Sequence, residues 1–128
     1  MNFVYVTKQK HTCSSSVEIA VTYIKASGKN KESDFRFSIS ENITDKVFRN
    51  VEYLVAAYDT DCPDKIWFKE ATKEIGYKIV KKNGTRHTFS PYGLARIVNN
   101  PESFVGDYNL MYDHTIKMWY IDRTEKLN

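Results

Sequence analysis

Residues 34–50 read DFRFSISENITDKVFRN. In 34–40, Phe35, Phe37 and Ile39 alternate with Arg36 and Ser38, the period of a half-buried strand. Ser40 then stands where a helix N-cap belongs, ahead of ENITDKVFRN, with acidic Glu41 and Asp45 early and basic Arg49 late, as the helix dipole favours. Ile43, Val47 and Phe48 form a narrow apolar stripe suited to lying on a sheet. A strand feeding directly into a capped helix sets the class expected here: α+β, mainly antiparallel sheet, with short helices.

On the C-terminal side, EYLVAAYD (52–59), the turn TDCPD and KIWFKE (65–70) predict a hairpin. On the N-terminal side, VEIAVTYIK (17–25) is rich in β-branched and aromatic residues and predicts a strand. NFVYVT (2–7) alternates more weakly and predicts another, and ASGKNKES (26–33) reads as a polar loop.

The second half repeats this order. KIVKKNGTRHTFS (78–90) predicts a β-hairpin turning at Asn83-Gly84, the dipeptide a type I′ turn prefers. Ser90 and Pro91 suit the cap and first position of a second short helix, PYGLARIV, with Leu94, Ile97 and Val98 as its stripe. DYNLMYD (107–113) and TIKMWYID (115–122) predict a final hairpin. Segments 35–70 and 86–122 thus match in element order, with Phe37-Ser38 answering Phe89-Ser90 and Trp67 answering Trp119. The expected architecture is a tandem, pseudo-symmetric β-α-β-β arrangement in one domain spanning 1–128. That order occurs in several small DNA-binding architectures, but no residue match extends beyond it and no family is assigned.

With 128 residues, 41% hydrophobic and 14% aromatic, the chain has the makings of a packed core. No apolar run reaches the roughly 18–20 residues of a membrane span, and the first residues lack a secretory signal pattern. A cytoplasmic location is therefore expected, with Cys13 and Cys62 as unpaired thiols and the sequons at Asn42 and Asn83 unused. The net charge of +3 is unevenly distributed. Residues 32–74 hold ten acids and six bases, whereas 75–98 hold Lys78, Lys81, Lys82, Arg86 and Arg96 with no acid. Such local charge can make a binding face.

Motifs for chemistry are weak. Asp59, Asp61 and Glu70 mimic positions of a calcium loop, but Asp64 replaces the required glycine, Pro63 replaces a ligand, and the flanks read as strands. His11, His87 and His114 lack partners at metal-ligand spacing. The run CSSS (13–16) has no base fixed beside it, and no phosphate-binding or nucleophile-elbow motif occurs. No catalytic residue, metal or cofactor is assigned.

The basic hairpin carries the functional expectation. A two-residue loop sets Lys81 opposite Arg86 and Val80 opposite His87. Like charges facing across a ladder cost about 0.2–1 kcal/mol, which a bound anion would relieve. A two-stranded ribbon fits the major groove, and Lys and Arg meet phosphates or guanine edges. Tyr77, Tyr92 and Arg96 flank the stretch and could stack on bases, and Lys25, Lys29 and Lys31 could extend the footprint. The expected function is nucleic-acid binding, DNA foremost and regulatory, through Lys78, Lys81, Lys82, Arg86, His87, Tyr92 and Arg96. The alternative is a protein-interaction or inhibitor module, of mobile-element origin if the Lys-, Asn-, Ile- and Tyr-rich composition reflects an AT-rich genome. Phe35, Phe37, Phe68, Tyr112 and Tyr120 are expected in the core. Trp67 and Trp119 are expected on the opposite face, covered by helices or exposed for a homodimer or other partner.

Overall fold

The structure is a computed structural model, and residues 17–24, 33–81 and 86–127 are described. The predicted strand at 2–7, Cys13, the loop lysines Lys25, Lys29 and Lys31, and the hairpin tip at 82–85 lie outside them.

Strands β1 (Ile19–Ile24) and β2 (Asp34–Ser40) pair antiparallel with Val21 opposite Phe37. The Phe35, Phe37 and Ile39 side chains are each 1% exposed or less, so the alternation faces one core as expected. Helix α1 (Glu41–Lys46) follows without a linker, and the Ser40 hydroxyl accepts from the Ile43 amide at 3.2 Å. The helix is shorter than its pattern: the amides of Val47 and Phe48 both donate to the Ile43 carbonyl, and Asn50 takes φ 62° in the left-handed region. Asn tolerates that region because its short side chain can bond locally.

Strands β3 (Tyr53–Ala57) and β4 (Lys65–Glu70) form the predicted hairpin. Then come β5 (Tyr77–Lys78), β6 (Val80–Lys81), β7 (Arg86–Phe89) and α2 (Leu94–Ile97). A 3-10 turn (Pro101–Phe104) precedes β8 (Gly106–Tyr108), β9 (Met111–Asp113) and β10 (Met118–Asp122). Two five-stranded antiparallel sheets result, ordered β6-β7-β2-β1-β8 and β5-β3-β4-β10-β9. The α+β, mainly antiparallel class holds.

Both edges of each sheet continue into the other. Residues 77–81 leave one sheet after Lys78 and enter the other at Val80, and residues 106–113 do the same between Tyr108 and Met111. β2 lies beside β7 and β4 beside β10, so neighbours at both centres come from equivalent places in 35–70 and 86–122. Few residues match between the segments, so this correspondence is one of topology.

Between the sheets pack Ile19, Val21, Phe37 and Phe89 from one side and Leu54, Ile66, Phe68 and Ile121 from the other. Phe37 meets Phe68 edge-on at 5.2 Å. Two aromatic expectations are corrected. Register puts Trp119 opposite Phe68 and Tyr120 opposite Trp67, so Trp119 shares the core-facing side and Tyr120 the outer one. Trp67 and Tyr120 pack at 4.8 Å, and the Lys65 ammonium lies 4.5 Å from the Tyr120 ring centroid. Trp67 is only 7% exposed.

The second helix also departs from expectation. Ser90 is exposed and makes no cap. Pro91 is buried in the turn ahead of α2, and the N-cap position belongs to Gly93 at φ 90°. The Gly93 amide donates to an Asp34 carboxylate oxygen on β2 at 2.9 Å, so a tertiary contact, rather than the Ser-Pro signal, sets where the helix starts. Leu94 and Val98 are buried as expected, but Ile97 is 58% exposed.

Candidate functional site

The acid-free stretch contributes to two distinct places. The first is a surface cluster. The Tyr77 ring lies edge-on to buried Phe89 at 6.4 Å, and its hydroxyl donates to the Tyr92 carbonyl at 3.1 Å. Tyr92 sits in the turn that Gly93 anchors to Asp34, which leaves its side chain outward. One helical turn later, Arg96 sets its guanidinium carbon 5.6 Å from the Tyr92 ring centroid, and Nη2 donates to the Tyr92 hydroxyl at 3.3 Å. A guanidinium within about 6 Å of an aromatic face interacts favourably with it. Lys78, next to Tyr77, is exposed. Tyr77, Tyr92 and Arg96, three flanking residues in the sequence, are thus brought together.

The second place is internal. The hairpin register differs from expectation by one residue: Val80 pairs with Thr88 and Lys81 with His87. Lys81 therefore does not face Arg86. The cause is the core, since β7 is held in register by Phe89 opposite Phe37 and His87 opposite Ile39. A one-residue slip would turn Phe89 out of the core.

Arg86 consequently reaches across β2. Its Nε donates to the Ser38 hydroxyl at 2.6 Å, Nη2 to the Ser38 carbonyl at 2.9 Å and Nη1 to the Val17 carbonyl at 2.6 Å. The guanidinium fork joins β7, β2 and the segment just ahead of β1, a structural use that the charge pattern alone did not reveal. Lys82 lies outside the described residues.

His87 faces a cleft of about 290 Å³ between the end of α1 and β5 to β7. Its Nε2 is buried and has no hydrogen-bond partner among the described residues. An unsatisfied buried polar atom costs roughly 1–3 kcal/mol, so such atoms call for a reason. The sequence pattern read Asp45 and Phe48 only as parts of a helix and gave Glu52 no role, so their place in the lining was not expected. Their approach to His87 depends on β2 pairing with β7, a long-range contact with no local signature.

Elsewhere the sequence's weak motifs find ordinary structural roles. The Asp59 carboxylate accepts from the Asp61 amide at 2.9 Å within the β3–β4 turn, where Cys62 carries a free thiol. Among the described residues no group of three or more His, Cys, Asp or Glu side chains is arranged to hold a metal ion. Among them, too, no helix is long and apolar enough to cross a membrane. In comparisons with known proteins, no family model, curated protein or solved structure matches the chain significantly.

Proposed function

We propose that the chain binds nucleic acid in unpaired form, with Tyr77, Lys78, Tyr92 and Arg96 as the contact. The observation that supports this reading is the 65% exposed Tyr92 ring with a guanidinium beside it, in a stretch of sequence (75–98) without a carboxylate, the neighbouring Asp34 carboxylate being engaged by the Gly93 amide. Single strands bind to such surfaces by stacking bases on aromatic rings while cations follow the phosphates. The internal bonds of Arg86 weigh against the ribbon-in-groove mode and shift the contact toward α2.

Fluorescence anisotropy with labelled single-stranded and duplex DNA and RNA tests the proposal at about 50 and 200 mM salt, where phosphate contacts lose most affinity. Single strands bind more tightly than duplex, and affinity drops steeply with salt. Stacking contributes about 1–3 kcal/mol per base, so Tyr92→Ala weakens binding by roughly tenfold or more. No binding at low salt, or binding indifferent to salt and to Tyr92→Ala, would overturn it.

A second reading has its own observation. Ile75, Val80 and Ile97 are 68%, 48% and 58% exposed in the same stretch of chain, an apolar surround that also suits a protein partner with an acidic surface. A stoichiometric, nuclease-insensitive partner in a pull-down would favour it.

A further inference from the structure

We propose that the cleft beside His87 takes a single guanine base, from a free nucleotide or from a strand held on the adjoining face. The strand form of this inference rests on the nucleic-acid reading above, because Lys78, which lines the cleft, directly follows Tyr77 in β5.

The cleft is lined on the inside by Phe48, Ile79 and His87 and at its mouth by Asp45, Glu52 and Lys78. At about 290 Å³ it lies at the small end of ligand sites, the scale of one heterocycle rather than of a peptide. An apolar wall suits a flat ring. Buried Nε2 of His87 asks for a polar atom that the protein does not supply.

Two carboxylates against one ammonium at the mouth disfavour an anionic group inside and favour a ring rich in N–H donors. Guanine has a ring N–H directly beside an amino group, two donors in a row for a carboxylate, while O6 and N7 offer acceptors to a histidine N–H. Adenine and cytosine set a ring acceptor beside their amino group, and uracil flanks its N–H with carbonyls. Each would aim oxygen or nitrogen lone pairs at Asp45 or Glu52. Lys78 at the mouth is placed for the phosphate.

The test follows the His87 ring signals of the isotopically labelled protein during titration with the four ribonucleoside monophosphates and inosine monophosphate, which lacks the amino group. GMP is expected to move them saturably, with an affinity about tenfold or more above the other nucleotides, inosine included, as a site built on hydrogen bonds discriminates. Glu52→Gln, at an exposed position, removes that preference.

Unmoved His87 signals, or equal responses to all five nucleotides, would overturn the inference. An oligothymidylate, with and without one guanine, separates the two proposals. Strand binding without any GMP response overturns the cleft and leaves the surface reading standing; GMP binding without strand binding does the reverse.

Discussion

Two side chains illustrate how unequal superficially similar interactions are. Arg123 donates from Nε to Asp64 at 2.8 Å, and from Nη1 to the Asn99 carbonyl at 2.5 Å and the Ser103 hydroxyl at 2.7 Å, with its guanidinium 4.6 Å from the Phe104 ring centroid. Its side chain is 12% exposed, whereas that of Asp64 is 50% exposed. The ion pair is therefore solvent-screened on one side, and Asp64→Asn is expected to cost less than about 1 kcal/mol. Arg123→Ala also removes the charge-assisted bonds to Asn99, Asn100 and Ser103 and uncovers the buried Phe104 ring, and is expected to cost about 2–3 kcal/mol. Urea unfolding of the two variants checks the contrast, and equal costs would refute it.

Tyr108 supplies a pH signature. Burial raises its phenol above the ordinary tyrosine range, with Arg123 opposing and Asp122 adding to the shift. Its hydroxyl donates to the Phe104 carbonyl at 2.6 Å. Because the folded value lies above the unfolded one, this contribution to stability is fully present below about pH 10 and is lost as pH rises toward the folded value. In a phenolate absorbance titration, one tyrosine equivalent should ionise only as the chain unfolds, and Tyr108→Phe should remove that late step.

At the level of elements, Gly76 couples the fold to the surface cluster. A Cβ there would sit 2.8 Å from the Cβ atoms of both Ala71 and Tyr53 and 2.9 Å from the Thr72 carbonyl oxygen. Gly76→Ala must push β5 from β3, which carries Tyr77 away from Tyr92. The expected cost is about 1–3 kcal/mol, as for other overpacked sites, together with weaker strand binding in the anisotropy assay; unchanged binding would uncouple β5 from the site. The same elements show what local pattern encodes. The alternation of Phe35, Phe37 and Ile39, the Ser40 cap and the β3–β4 hairpin were legible because each is decided within a few residues. The start of α2, the side on which Trp119 lies and the Lys81–His87 register were not. They depend on Asp34 capturing the Gly93 amide, on the β4–β10 pairing and on Phe89 meeting Phe37. Of the site, the sequence marked Tyr77, Tyr92 and Arg96 as neighbours of a basic stretch but could not show Arg86 turned inward or a cleft forming beside His87. Charge composition counts cations and is silent about which of them the backbone claims.

For the whole molecule, a modest net charge conceals a division between an acid-rich middle and an acid-free stretch at 75–98, so a partner's response to salt reflects that stretch rather than the total. The passage of the chain from one sheet to the other has a separate effect. Among the described residues, the outermost strands of both sheets, β5, β6, β8 and β9, are two or three residues long. A strand edge that short gives another polypeptide little backbone to copy, and long bare edges are what seed fibrils and strand-exchanged assemblies. Recognition by backbone templating is thereby suppressed across these residues, and selectivity is left to what projects from the ladder, the tyrosines and cations.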